Sequence, residues 1–396
     1  MSFECSLWCY LWDLEDEGFD RALDVIQGDL GANGISVATV YHSVDQLRPH
    51  DGVSPRWFRS AGGMQFQPDA ARYRGTRTRP VVADWLRSRN PLAGLSAACE
   101  KRGLALRGWT VCCHSSAMVA RNPSLAVKDV FGSPSPSWLC PLNPDVQEFL
   151  RAVVEDLTHS YRFDSIELEA CGFPRSPHGH AHEKVGVNLG AIGRMLLALC
   201  FCESCRQQAS LNDVPVAAVE RSVAVDLEGI FRNSGDRHET DIEPYLDSRE
   251  PLRRFLEWRA AGVAGLIGRL RTACSGSLVL MLSEDPLLTS SRRNMLAGTC
   301  DRFLTPAYGA DEAAVEERLR QAAADTGSPA RVVVGLNACA GFTNDAASLV
   351  RNVGRIATLG AAGVHFYNYG LLPQSRLEWV RQAIRYGRRQ NTADAS

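Results

Sequence analysis

The chain lacks any apolar run near the ~20 residues that a membrane-spanning helix needs, so an integral membrane helix is excluded. It also lacks net charge. Its 43 Lys and Arg stand against 45 Asp and Glu, for a formal net charge of -2 over 396 residues. That balance excludes a general polycationic nucleic-acid binder and an acidic disordered tail. The start, Met1-Ser2-Phe3-Glu4-Cys5, has no basic stretch followed by an apolar one, so no secretory leader is expected. No nucleophile elbow, Walker loop or H-E-x-x-H occurs, and no β-rich run is followed by G-x-G-x-x-G. Internal repeats and low-complexity stretches are missing too.

Cysteine, by contrast, is plentiful. There are 13, an odd number, in a chain long enough to build its own core. This argues against a secreted disulfide scaffold and for reduced thiols in a cytoplasm, with metal ligation at one cluster as the further option. Hydrophobic residues at 45% and charged residues at 22% are the proportions of an ordinary soluble globular protein.

Eight β-rich runs follow one another along the sequence: Ser6–Trp12, Ile35–Tyr41, Leu104–Cys112, Phe163–Glu169, Ser277–Ser283, Asp301–Pro306, Arg331–Leu336 and Gly363–Tyr369. Helical patterns separate most of them. The sequence Asn143-Pro144-Asp145 opens one helix, with a capping side chain followed by a proline suited to the first turn. Near-continuous apolar strands alternating with helices predict an α/β (β/α)8 TIM barrel spanning 1–390, with a frayed tail at 391–396. Two connections exceed plain loops. Ser43–Pro91 follows strand 2 and is rich in Arg and aromatics; Ala170–Gly276 follows strand 4 and reads as mostly helical. Both leave the barrel face on which catalysis takes place, and connections of this length are usually functional or form a subdomain.

The segment Phe163-Asp164-Ser165-Ile166-Glu167-Leu168-Glu169 carries the strongest chemical signal. Side chains alternate along a strand, so Glu167 and Glu169 share a face. With Ile166 and Leu168 turned to the helices, both carboxylates enter the barrel, Glu169 at the rim and Glu167 one layer lower. A second acid, Glu284 or its neighbour Asp285, ends strand 5. Adjacent strands lie ~4.8 Å apart. Retaining glycosidases need ~5–5.5 Å between their carboxylates, so this spacing favours retention. Other strand ends supply aromatic and polar groups suited to a sugar: Trp12, Asp13, His42, His114, Tyr308, Asn337, Tyr367, Asn368 and Tyr369.

Two further clusters fall in the long insertion. His178-Gly179-His180-Ala181-His182-Glu183 reads either as a metal or substrate contact or as a solvated, hydrogen-bonded loop. Cys200-Phe201-Cys202-Glu203-Ser204-Cys205 gives C-x-C-x-x-C, for which a structural zinc is one reading and buried reduced thiols the other. The fourth ligand would be Cys171, Cys140 or a histidine, and Cys171, directly after the strand-4 acids, is the first choice.

The strand D-S-I-E-L-E resembles the D-G-[FIV]-x-x-D strand of the α-amylase superfamily and of related glycosidase-like barrels. That resemblance implies Glu169 as nucleophile and Glu284 as acid/base; Glu167, a second carboxylate close by, would support or tune Glu169, since two neighbouring carboxylates do not both ionise easily. Ser165 stands where the pattern has Gly, and Glu167 where it usually has Arg. The C-x-C-x-x-C run is similar to the zinc cluster of a bacterial β-galactosidase family built on the same barrel. That family places its nucleophile on strand 7, which here ends Gly335-Leu336-Asn337-Ala338 without an acid. The expected activity is hydrolysis of a small glycoside or oligosaccharide in the cytoplasm, with no catalytic cofactor and no nucleic-acid or membrane partner. A sugar lyase or isomerase using His42 or His114 as base, or a non-catalytic carbohydrate-binding barrel, are the alternatives.

Overall fold

The structure is a computed structural model that describes residues 3–175, 184–233 and 241–393. Its centre is a closed barrel of parallel strands: β1 (Glu4–Cys9), β2 (Gly34–Tyr41), β3 (Ala105–Val111), β4 (Ser165–Glu169), β5 (Ser277–Met281), β6 (Arg302–Pro306), β7 (Val332–Asn337) and β8 (Gly363–Tyr367). Each strand pairs with the next. Glu4 opposite Gly363 and Ser6 opposite Gly34 join β1 to both β8 and β2 and close the ring. Every strand expected from the sequence is present, so the chain is the (β/α)8 barrel that its pattern predicts.

Alternation sorts the side chains. Cys5, Leu7, Ile166 and Leu168 face the surrounding helices in the main apolar core. Trp8, Tyr10, Ala38, Tyr41, Trp109, Val111, Val279, Leu304 and Val333 fill the barrel interior as a separate cluster. The Trp8 indole occupies the centre because Gly335 opposite has no side chain; a Cβ there would sit 2.8 Å from the indole. Below this aromatic layer the barrel floor is polar. Glu4 forms ion pairs with Arg107 at 3.0 Å and Arg302 at 2.7 Å and meets the His365 ring. Arg107 also donates to Ser6, at 2.7 Å.

Two strand ends differ from expectation. β1 stops at Cys9, and Leu11–Glu17 forms helix α1, so Trp12 and Asp13 belong to a helix and not to a strand end. β8 stops at Tyr367, and Tyr369–Leu371 forms a short 3-10 turn. In both places an apolar aromatic stretch continues past the strand into the next element. Side-chain type alone does not mark where the ladder of hydrogen bonds ends.

After β2 the chain makes an antiparallel hairpin, Val44–Leu47 with Trp57–Ser60, and then a short strand, Gly63–Met64, along the end of β2. Helix α2 (Pro144–Ser160) is capped as its sequence predicts, with Asn143 Oδ1 accepting from the N–H groups of Asp145 at 2.9 Å and Val146 at 3.4 Å. After β4 come helices α3 (Gly190–Leu197), α4 (Glu203–Leu211), α5 (Val216–Asn233), α6 (Ile242–Asp247) and α7 (Glu250–Ala273). Their apolar faces form a second core that includes Met195, Phe201, Val223, Leu227 and Phe255. The long α7 serves both layers: its N-terminal half packs in that second core, and Val263, Leu266 and Ile267 pack in the main one. Among the described residues no helix is long and apolar enough to cross a membrane.

Candidate active site

A cavity of about 470 Å³ opens at the C-terminal ends of β2 to β6 and β8. Its walls include Tyr41, His42, Trp109, His114, Trp138, Glu169, Phe173, Arg175, Glu284, Tyr308 and Tyr367. Six residues expected from the sequence therefore meet here: Glu169, Glu284, His42, His114, Tyr308 and Tyr367.

Glu169 stands at the base, where the parity of β4 places it. Trp109 lies two residues before Val111, the register partner of Glu169 on β3, and its indole Nε1–H donates to Glu169 Oε2 at 2.6 Å. Burial raises the carboxyl above its ordinary range, and the indole hydrogen bond only partly offsets this. Around it, the Tyr10 hydroxyl bonds to those of Tyr41 at 2.9 Å and Tyr367 at 2.7 Å. Burial raises the Tyr41, Tyr308 and Tyr367 phenols, so the walls offer neutral hydroxyls and aromatic faces. On one side His42 stacks on His114, with centroids 4.5 Å apart, and His114 stacks on Trp138 at 4.8 Å.

Glu284 lies in the loop beyond β5, three residues after Met281, and is half exposed. It forms ion pairs with Arg175 and Arg318, each at 3.1 Å. Because Glu284 sits past the strand end, the spacing between β4 and β5 no longer sets its distance from Glu169. Asp285 instead accepts from the Leu288 N–H and shapes the local turn.

The remaining expected residues lie elsewhere. Glu167 is buried on the barrel floor, bonded to Ser36, with His365 Nδ1 3.5 Å from its other oxygen. Trp12 is buried between Tyr10 and Phe58 and donates to Gln46 at 2.7 Å. It edges a separate recess that also holds Asp84, Trp85 and Arg89. Asp13 is buried against Gln46 and Arg48. Asn337 accepts from the Cys339 N–H, and Asn368 from the Gly370 N–H. Tyr369 is buried and donates to Glu17 at 2.8 Å. These residues stand outside the cavity: Trp12, Asp13 and Tyr369 because β1 and β8 end three and two residues before the apolar pattern does, Asn337 and Asn368 because their side chains close local turns, and Glu167 because it lies one layer deeper on β4. Tyr41, Trp109, Trp138 and Arg175 were missed. Trp109 had a usable signal: Arg107, Trp109 and Val111 share one strand parity, and on the adjacent strand Glu167 and Glu169 do the same.

The cysteine cluster is real, but its fourth member is Cys140. The thiols of Cys140, Cys200, Cys202 and Cys205 are buried, and their sulfur atoms all lie within 4.8 Å of one another. Cys171 sits instead beside Cys112, with sulfurs 3.3 Å apart. Cys140 follows the strand Pro134–Leu139, whose hairpin partner ends at Lys128, and the Lys128 carbonyl accepts from the Phe201 N–H at 2.8 Å. That backbone bond brings the C-x-C turn to Cys140. Hydrogen bonds from the three neighbouring thiols push Cys202 down, while burial and bonds within the cluster push Cys140 and Cys205 up. Four thiolates at such separations match tetrahedral zinc, for which Zn–S is ~2.3 Å, so the donor set fits. His178, His180, His182 and Glu183 lie outside the described residues.

No sequence-family profile matches the chain, and no curated protein matches it by sequence. Solved structures do share its fold. The glycoside hydrolase domain of PgaB (BpsB) from Bordetella bronchiseptica matches with a TM-score of 0.59 at 15% identity, covering 96% of this chain and 98% of that one. The catalytic domain of beta-amylase from Paenibacillus polymyxa matches with a TM-score of 0.59 at 11% identity, covering 97% and 98%. Beta-galactosidase from the psychrophilic Marinomonas ef1 gives 0.54 at 10% identity, covering 96% of this chain and 59% of that one. The chain thus has the barrel fold of glycoside hydrolases.

Proposed function

We propose that the protein is a glycoside hydrolase acting on a small glycoside or oligosaccharide, with Glu169 and Glu284 as its carboxylate pair. The observation that carries this reading is Glu169 itself: a carboxyl raised by burial, held by an indole N–H at 2.6 Å, at the base of an aromatic-walled cavity on the C-terminal face of a barrel. Aromatic faces suit the C–H faces of a sugar ring, and the tyrosine hydroxyls and histidines suit its hydroxyls. The fold shared with PgaB and beta-amylase structures points the same way.

The two environments favour Glu169 as proton donor and Glu284, the ion-paired carboxylate, as nucleophile or base. This order is the reverse of the one implied by the amylase-like strand. A raised pKa suits an acid that must protonate a leaving oxygen near neutral pH. Glu167 supports the floor beneath them. The stereochemical outcome follows from the carboxylate separation in the working enzyme, and proton NMR of the first-formed anomer measures it. A second reading, a sugar lyase or isomerase, is favoured by the stacked His42–His114 pair in the same wall.

We further propose a structural zinc at the four cysteines, where four protein ligands leave no position for a catalytic water. All 13 cysteines are free and 12 are buried, which supports a reducing, cytoplasmic setting.

A panel of nitrophenyl glycosides, with reducing-sugar release as a second readout, tests the activity. Glu169→Gln is expected to fold normally and lose roughly 10²–10⁴-fold in turnover. Unchanged turnover removes Glu169 from the mechanism. Isomerised product without hydrolysis, sensitive to His114→Ala, would establish the second reading instead.

A further inference from the structure

Arg259 lies on α7 and is completely buried. Its Nε, Nη1 and Nη2 all lack a hydrogen-bond partner among the described residues. A guanidinium stays charged in proteins, and an isolated buried charge is strongly disfavoured. Among the described residues no carboxylate pairs with it. Burial pushes its pKa down to about 10, while the charges of Cys205, Cys200 and Cys140 act the other way; Phe201, between Cys200 and Cys202, stacks on Phe255 with centroids 5.3 Å apart, one turn before Arg259. One flat face lies on the Phe173 ring, 3.8 Å from the centroid, and Phe255 lies 6.0 Å away. Phe173 in turn lines the cavity that holds Glu169.

The charges account for this arrangement only when the cysteines are loaded. Four neutral thiols offer nothing to offset a guanidinium. Four thiolates around one divalent ion carry a net charge of about -2, and loading such a site releases the thiol protons. An arginine beside that anion then has the partner that its own hydrogen-bonding groups lack.

We propose that Arg259 is the counter-charge of a metal tetrathiolate formed by Cys140, Cys200, Cys202 and Cys205, and that this pairing holds Phe173 in the wall of the catalytic cavity. Arg259 is a positioning residue, acting through the cluster and through Phe173. The inference rests on the metal reading of the cluster and extends it, because it gives the metal a route to the pocket. Cys171 and Gly172 are the only residues between the end of the β4 loop at Ala170 and Phe173. The Phe173 N–H is anchored on the Thr289 carbonyl at 3.0 Å. With the backbone held there, the Arg259 guanidinium covers one face of the ring.

The test uses the full chain purified without added metal, as wild type, Arg259→Met, Arg259→Gln and Arg259→Lys. Elemental analysis gives the zinc content, and competition with a chromogenic chelator gives the zinc affinity. About one zinc per chain is expected in the wild type. Groups that support metal ligands typically contribute ~10–100-fold to affinity, and a loss of that size is expected in the neutral Met and Gln variants. Lys keeps the charge without the flat face, so its affinity should fall between those of wild type and Gln. Cobalt(II) loading adds a spectroscopic readout: the thiolate-to-cobalt absorption of four sulfur ligands should form in every variant, at higher free cobalt in Met and Gln. If Met does not fold, the ordering of Lys against Gln decides. Equal zinc affinity in Lys, Gln and wild type overturns the counter-charge role while leaving the metal site intact. A wild type with no zinc and no tetrathiolate cobalt spectrum overturns the metal reading, and the proposal with it.

Discussion

Replacing Trp109 by Phe removes one donor from Glu169 and keeps most of the ring. The indole N–H bonds to Glu169 Oε2 at 2.6 Å, and this bond is what partly offsets the effect of burial on the carboxyl. A hydrogen bond to a charged group contributes ~1.5–3 kcal/mol, and each pKa unit corresponds to ~1.4 kcal/mol. Losing the bond should therefore cost the carboxylate about that energy and raise the Glu169 pKa further. The sign is fixed by the chemistry: the N–H stabilises the carboxylate, so its removal favours the protonated form. The assay is the pH dependence of kcat/KM on the best nitrophenyl glycoside, with circular dichroism and Tm as checks on folding. If Glu169 is the proton donor, activity persists to higher pH and the alkaline limb moves up with it. A rise in the acidic limb instead would return Glu169 to the nucleophile's role. A profile that does not move, or moves down, would refute the claim that Glu169 titrates in catalysis.

Three further outcomes concern stability. Burial raises Asp13 to about 7, against contrary effects of Gln46 and Arg48. From its ordinary 3.8 upward the unfolded chain ionises first, so this residue withdraws on the order of 4 kcal/mol of stability between about pH 4 and pH 7; Asp13→Asn should flatten that slope in urea titrations, and a parallel slope would remove Asp13 as its cause. Burial raises Glu4, but Arg107, His365 and Arg302 outweigh it and hold the carboxyl well below the carboxylate range. Its contribution is present above about pH 4.5 and fades in acid. Glu4→Gln should lose ~3–5 kcal/mol at neutral pH, read as a shift in the urea midpoint. Stripping metal with a strong chelator should lower Tm, and returning zinc should restore it; a Tm indifferent to both would leave the four cysteines as buried thiols.

The barrel was legible because its signal is redundant. Eight strands each carry their own apolar run, and an error of two residues at one end leaves the count intact. In the candidate site, His42, His114, Tyr308 and Glu284 were legible from their places just past strand ends, and Glu169 from strand parity. Glu169 is the clearest case, since Ile166 and Leu168 must face the helices and the acids between them must face inward. Strand ends carry no such constraint. Ser6–Trp12 reads as one apolar stretch, yet β1 yields to α1 at Leu11 and takes Trp12 and Asp13 out of the cavity. Phe366-Tyr367-Asn368-Tyr369 divides the same way: Tyr367 reaches the pocket while Tyr369 turns back to Glu17.

The cysteine cluster shows a different limit. Three of its members share a turn of chain, so spacing alone finds them. The fourth is set by a hairpin that brings position 140 beside position 201, and no local pattern prefers Cys140 to Cys171. Arg259, however, left a trace. Phe255 and Val263 stand four residues to either side of it, on the stripe of α7 that is buried. Residues four apart share a helix face, so the sequence places a guanidinium where apolar side chains belong. A charge on a buried stripe needs an anion next to it. Among the described residues no carboxylate pairs with this one. The four thiols 50 to 120 residues upstream supply the anion only as thiolates, and a bound cation is what would keep four buried thiolates together.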